Sequence, residues 1–156
     1  MTHFRISGLA PAQFTHLYGL GDGALGALGV VPYVVDAKPG FPDRIEMRDL
    51  EVGERALLLN YTHLDARSPY RSSHAIFVRE AATEPYDRVN EVPEVMRTRA
   101  LSLRAFDADH MMVDSDLTDG GAIEALIERF FSDPRVAYIH VHNAKPGCYS
   151  GRITRE

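Results

Sequence analysis

Two stretches near the end of the chain, Val136-Ala137-Tyr138-Ile139-His140-Val141-His142 and Cys148-Tyr149-Ser150-Gly151-Arg152-Ile153-Thr154, are joined by Asn143-Ala144-Lys145-Pro146-Gly147. Both stretches carry β-branched and aromatic residues in alternation, the pattern of half-buried strands. Lys145-Pro146-Gly147 supplies turn chemistry. A parallel crossover takes a dozen or more residues, so a connection this short predicts an antiparallel hairpin. The residues before it, Ala122 to Ser132, place Ile123, Leu126, Ile127 and Phe130 at helical spacing. Ile139 and Val141 are expected to face that helix, which leaves Tyr138, His140 and His142 together on the opposite face. Cys148 is expected beside Asn143 at the hairpin end.

The remaining segments extend the same architecture. Phe4–Leu9 alternates, and Pro11 opens a predicted helix over Ala12–Leu20. The glycine-rich stretch Gly19–Gly29 lacks the spacing of a phosphate-binding loop and is read as a flexible loop or short broken helix. Val30–Val35 is β-rich, with Pro32 indicating an edge strand. Arg44–Arg48 alternates with Ile45 and Met47 on one side. Arg55–His63 is apolar on both faces around Leu57, Leu58 and Leu59, as in a central strand. Strands are also expected over His74–Glu80 and Arg99–Asp107, and residues 81–98 as loop with a helical turn. The sum, about seven strands with mostly β–β connections and two helices, predicts an α+β fold. Its sheet is largely antiparallel, with room for strong curling.

A chain of 156 residues and 17.4 kDa fits one domain. Its net charge of −5 and the absence of a basic block argue against nucleic acid as a partner. The stretch Leu20–Val35 is too interrupted by glycine and proline for a membrane span. A lone cysteine excludes an internal disulfide and, with no leader-like N-terminus, suggests the cytoplasm. Homo-oligomers remain open.

Three polar clusters are candidates for chemistry. The first is His140 and His142, about 6–7 Å apart along one strand face. They could share a metal only with a third ligand, for which His63, His74, Asp107 and Asp109 are candidates. Asp107-Ala108-Asp109-His110 looks like a metal or acid/base site but fits turn chemistry better, and no tightly bound metal or other cofactor is expected. The second is Cys148 near His142, with Asn143 as orienter, a pairing that suits a nucleophile. The third is Ser68-Pro69-Tyr70-Arg71 with His74, Arg79 and Glu80, a loop that could approach the histidine face. Fifteen arginines stand against two lysines, and a guanidinium fork suits an anionic ligand.

Two functions follow from these clusters. In the first, a small-molecule enzyme uses His142 as acid/base, assisted by Tyr70 and Cys148. Arg71, Arg79 and Arg104 then hold a small anion, with Ser68, His140 and Asn143 lining the pocket. In the second, the same residues form a non-catalytic ligand-binding or protein-interaction domain.

Several motifs occur in a fixed order: Gly40-Phe41-Pro42-x-Arg44; Gly53-Glu54 with Leu57-Leu58-Leu59-Asn60-Tyr61; Ser68-Pro69-Tyr70-Arg71; Ile76-Phe77-Val78-Arg79-Glu80; Arg99-x-Leu101-Ser102-Leu103-Arg104; and His140-x-His142-Asn143-Ala144-x-x-Gly147-Cys148. This order resembles the DUF1203 family of bacterial proteins, named for its unknown function. The resemblance implies a single domain over residues 1–156. It also places the Ser-Pro-Tyr-Arg loop and the His-Asn-Ala…Gly-Cys turn within the family pattern.

Overall fold

In a computed structural model describing residues 2–156, the terminal stretches form strands β8 (Tyr138–Asn143) and β9 (Tyr149–Arg155), paired antiparallel. Strand β6 (Ala100–Phe106) lies antiparallel on the other side of β8. With β1 (Phe4–Ser7), β5 (Asp87–Val89) and β7 (Met112–Asp119) they make a six-stranded sheet in the order β5-β1-β9-β8-β6-β7. Helix α3 (Ile123–Phe131) buries Ile123, Leu126, Ile127 and Phe130 in one apolar cluster with Leu101, Leu103, Ile139 and Val141. Each such side chain contributes about 1.5–3 kcal/mol. The expected facing of Ile139 and Val141 toward the helix is therefore observed.

The opposite face of β8 is also buried, because a second sheet covers it. Strands β2 (Val31–Val34), β3 (Arg55–Leu64) and β4 (Ser72–Arg79) form a three-stranded antiparallel sheet with β3 central and β2 at an edge. Leu57, Leu59, Ile76 and Val78 pack there with Phe14, Leu17 and Ile45, and Tyr149 from β9 joins them. Tyr149 thus ties the two sheets into one α+β domain, and β8 becomes an inter-sheet strand. Among the described residues, no helix is long and apolar enough to cross a membrane.

Several sequence expectations are corrected. Two sheets carry nine strands where one sheet of about seven was expected. Ala12–Leu20 forms two 3₁₀ turns, Pro11–Gln13 and Thr15–Leu17. Phe14 and Leu17 are three apart, a spacing that a 3₁₀ turn also brings onto one side. The glycine-rich stretch holds helix α1 (Asp22–Ala27), anchored by the fully buried Leu25. Residues 81–98 contain the short helix α2 (Glu94–Arg97) as well as β5. Ile45 and Met47 do not share a side: Met47 adopts a φ of 56°, so Ile45 enters the small-sheet core and Met47 the helix-side core. Strand β7 was missed because its exposed Asp114, Asp116 and Leu117 carry no inward alternation. Where α2 meets the turn before α3, a Cβ added at Gly120 would lie 1.7 Å from the Met96 carbonyl oxygen. Only glycine permits that approach.

Candidate metal centre

Alternation along β8 sends His140 and His142 toward the second sheet, and alternation along β3 sends Leu57, Leu59, Tyr61 and His63 toward the first. His63 lands on the histidine pair, with ring centroids 4.8 Å from His142 and 5.8 Å from His140. One ring nitrogen from each of the three lies within 4.8 Å of the others. Tyr149 stacks on His63 at 5.2 Å with an interplanar angle of 3°, and meets His140 and His142 edge to face.

The hydrogen bonding leaves coordinating atoms unused. His142 Nδ1 lies 2.9 Å from the Gly147 carbonyl oxygen. A carbonyl only accepts, so Nδ1 carries the proton and Nε2 keeps its lone pair. Gly147, at a φ of 81°, forms the turn that aims this carbonyl back at the ring. The Nδ1 atoms of His63 and His140 are buried with no partner. Buried polar atoms without partners are uncommon and ask for an explanation.

The electrostatics point the same way. Burial pushes His140 and His142 down to about 3 and His63 down to about 4, and nearby Arg104 adds to each shift. All three imidazoles are therefore neutral at pH 7, the form that binds metal. The same depression makes His142 a poor acid/base group, whose best value lies near the working pH. A metal held at about 2.0–2.1 Å by three imidazoles spaces their nitrogens about 3.3 Å apart in a tetrahedron, so the rings would close inward by up to about 1.5 Å on loading.

The cluster is closed on the His142 side and open toward a cavity of about 190 Å³ lined by His63, Asp65, His110, Tyr138, His140 and Arg152. Tyr138 Oη and His110 Nδ1 are 2.7 Å apart at its wall. Strand register sets Arg104 and Arg152 on either side of His140. A larger concavity of about 400 Å³, beside Phe14, Leu28 and Tyr61, contains one titratable imidazole, His16, and no cluster.

Of the residues singled out from sequence, His140, His142 and Arg104 meet here, and His63 is the one of the four candidate third ligands that joins them. Asp107 instead accepts the backbone N–H groups of Asp109 and Met111 in a turn, and His74 Nδ1 lies against the Ala75 carbonyl. Cys148 sits beside Asn143 as expected, but its sulfur accepts from Asn143 Nδ2 at 3.4 Å and from Arg44 Nη2 at 3.1 Å; no bond joins it to His142. Arg44, itself buried, also donates to the carbonyls of Tyr149 and Pro42, so this group serves to lock the hairpin end. Arg71 pairs with Asp65 at the surface, and Arg79 with Glu46. Ser68 Oγ donates to the His110 carbonyl and shapes its own loop.

Tyr70 is one ring removed, its edge against Phe106, which in turn meets His140. Its hydroxyl is bonded to nothing among the described residues. Tyr70→Phe is therefore expected to leave stability within about 0.5 kcal/mol of wild type, checked by thermal melting.

Arg152 was not singled out from sequence, and Tyr149 and His110 occurred there only as members of polar stretches, without a role. The hairpin pairing could have found Arg152, since it fixes which β9 residue faces His140.

A family model described as a protein of unknown function, DUF1203, matches residues 40–155. No curated protein and no solved structure matches the chain.

Proposed function

The chain belongs to the DUF1203 family, and we propose that it is a small-molecule enzyme built on a transition-metal ion held by His63, His140 and His142. The observation that carries this reading is the convergence of three neutral, desolvated imidazoles from two different sheets, two of them with unpartnered Nδ1 atoms. This departs from the expectation of no tightly bound metal, which lacked an identified third ligand. Imidazole donors suit zinc, copper, iron or nickel. Three protein ligands with an open side match catalytic rather than structural zinc sites. A metal so held would supply Lewis acidity and an acidified bound water.

In this reading His142 passes from acid/base group to ligand, oriented by the Gly147 carbonyl. Tyr149 holds the His63 ring in place by stacking. The Tyr138–His110 pair stands at the cavity wall, where a proton could be passed to or from a bound molecule. We take the protein to act in the cytoplasm, which its single thiol supports.

The test is loading of chelator-stripped protein without a histidine tag. Titration with Zn²⁺ against a chromophoric competitor should give one tight equivalent per chain. Uptake below about a tenth of an equivalent would overturn the reading.

A further inference from the structure

We propose that the ligand received by this centre is a small organic carboxylate, its head held by Arg152 with Arg104 adding positive charge from across His140, and its body against Leu64, Ala66 and Tyr138. The proposal rests on the metal reading above and names the ligand class for the same site. Its basis is a pair of cations with no anion to match, one on either side of the neutral His140. Arg104 on β6, His140 on β8 and Arg152 on β9 stand opposite one another in register, across three adjacent strands. Arg48, Arg55, Arg79, Arg97 and Arg99 are each bound to a carboxylate. Neither Arg104 nor Arg152 has an acidic partner among the described residues. Arg104 is half-buried, and a desolvated guanidinium without an acceptor is costly. Arg152 lies over the Tyr138 ring, 4.4 Å from its centroid. That contact orients its planar fork without using its N–H donors.

A divalent metal on the three histidines would add further positive charge to this pair. Asp65, already paired with Arg71, is the one carboxylate in the lining to offset it, so the complement is left to the ligand. Carboxylate oxygens match a guanidinium fork two to two and also coordinate metals. Leu64, Ala66 and Tyr138 give the cavity an apolar wall that a bare inorganic anion would not use. At about 190 Å³ the cavity is smaller than the roughly 300–1,000 Å³ of sites for drug-sized ligands. It suits a carboxylate with a short side chain.

The experiment is calorimetric titration of zinc-loaded protein with acetate, butyrate, butyramide and inorganic phosphate. Butyrate should bind about tenfold tighter than acetate, from two added methylenes, and at least tenfold tighter than neutral butyramide. Arg104→Gln and Arg152→Gln should each weaken butyrate at least tenfold with zinc stoichiometry unchanged. Equal binding of butyrate and butyramide, or wild-type affinity in both variants, would overturn the proposal. Phosphate binding in preference to every carboxylate would overturn the ligand class. If zinc fails to load, the metal reading falls. The same titration on metal-free protein then decides the arginines: butyrate binding that both variants lose sustains their role, and its absence ends it.

Discussion

His63→Ala is expected to bind zinc more than a hundredfold more weakly than wild type, with the metal-free protein still folded. Loss of an outer-shell partner of a metal ligand already costs about 10–100-fold in affinity, and the proposal makes His63 a ligand itself. The two histidines left behind share one strand, their ring centroids 6.5 Å apart, and a chelate needs the third donor to close its geometry. That donor is the only one of the set on the smaller sheet, so metal binding also clamps β3 to β8. Zinc at a thousand times its dissociation constant stabilises the folded state by about 4 kcal/mol. For a domain of this size that raises the melting temperature by about 10 °C. The increment should vanish in His63→Ala and in the bulkier His63→Gln, which guards against loss of packing with Tyr149. His74→Ala, outside the cluster, should keep it. A full zinc-dependent increment in both His63 variants would remove His63 from the ligand set.

The second large effect is a loss of stability in mild acid, confined to the metal-free protein. His140 and His142 are almost fully buried and held down to about 3 when folded, against about 6.5 when unfolded. Between those values the unfolded chain binds more protons, so stability rises with pH. Their contribution is complete above about pH 6.5 and is lost as the pH falls toward 3. At pH 5 the two together have cost about 4 kcal/mol, a large share of the usual 5–15 kcal/mol.

His63, held down to about 4, adds to the same loss, whereas the paired carboxylates act outside this window. Arg48 holds Glu54, and Arg135 holds Asp133, down to about 2, and both lose their contribution only below the ordinary carboxylate range. Asp43, raised by burial, works in the opposite sense. Urea midpoints at pH 7 and pH 5, with a chelator present, measure the effect. His142→Gln should remove about a third to a half of the difference. Equal midpoints at the two pH values would show that the histidines are not held neutral by burial.

The hairpin, its antiparallel pairing and the facing of Ile139 and Val141 were legible because a five-residue connection and strict alternation leave one arrangement. The central place of β3 was legible from its apolar run, and the edge place of β2 from Pro32. The division into two sheets was not, since no local pattern says that β3 lies across β8. That same gap kept His63 one of four candidate ligands. Strand β7 escaped because an edge strand with exposed aspartates lacks the hydrophobic period. Arg71 and Arg79 looked free because their partners are set by the fold, Glu46 lying 33 residues from Arg79. Arg104 differed from them only in lacking such a partner. The sequence of a strand shows which way a side chain points, and not what it meets.

Crystals of the zinc-loaded protein, with anomalous differences recorded on both sides of the zinc absorption edge, reach the centre itself. The expected result is one peak within about 2.0–2.2 Å of a nitrogen from each of His63, His140 and His142. Its open side should face Arg152. Zinc density at other histidines with none among these three would contradict the assignment.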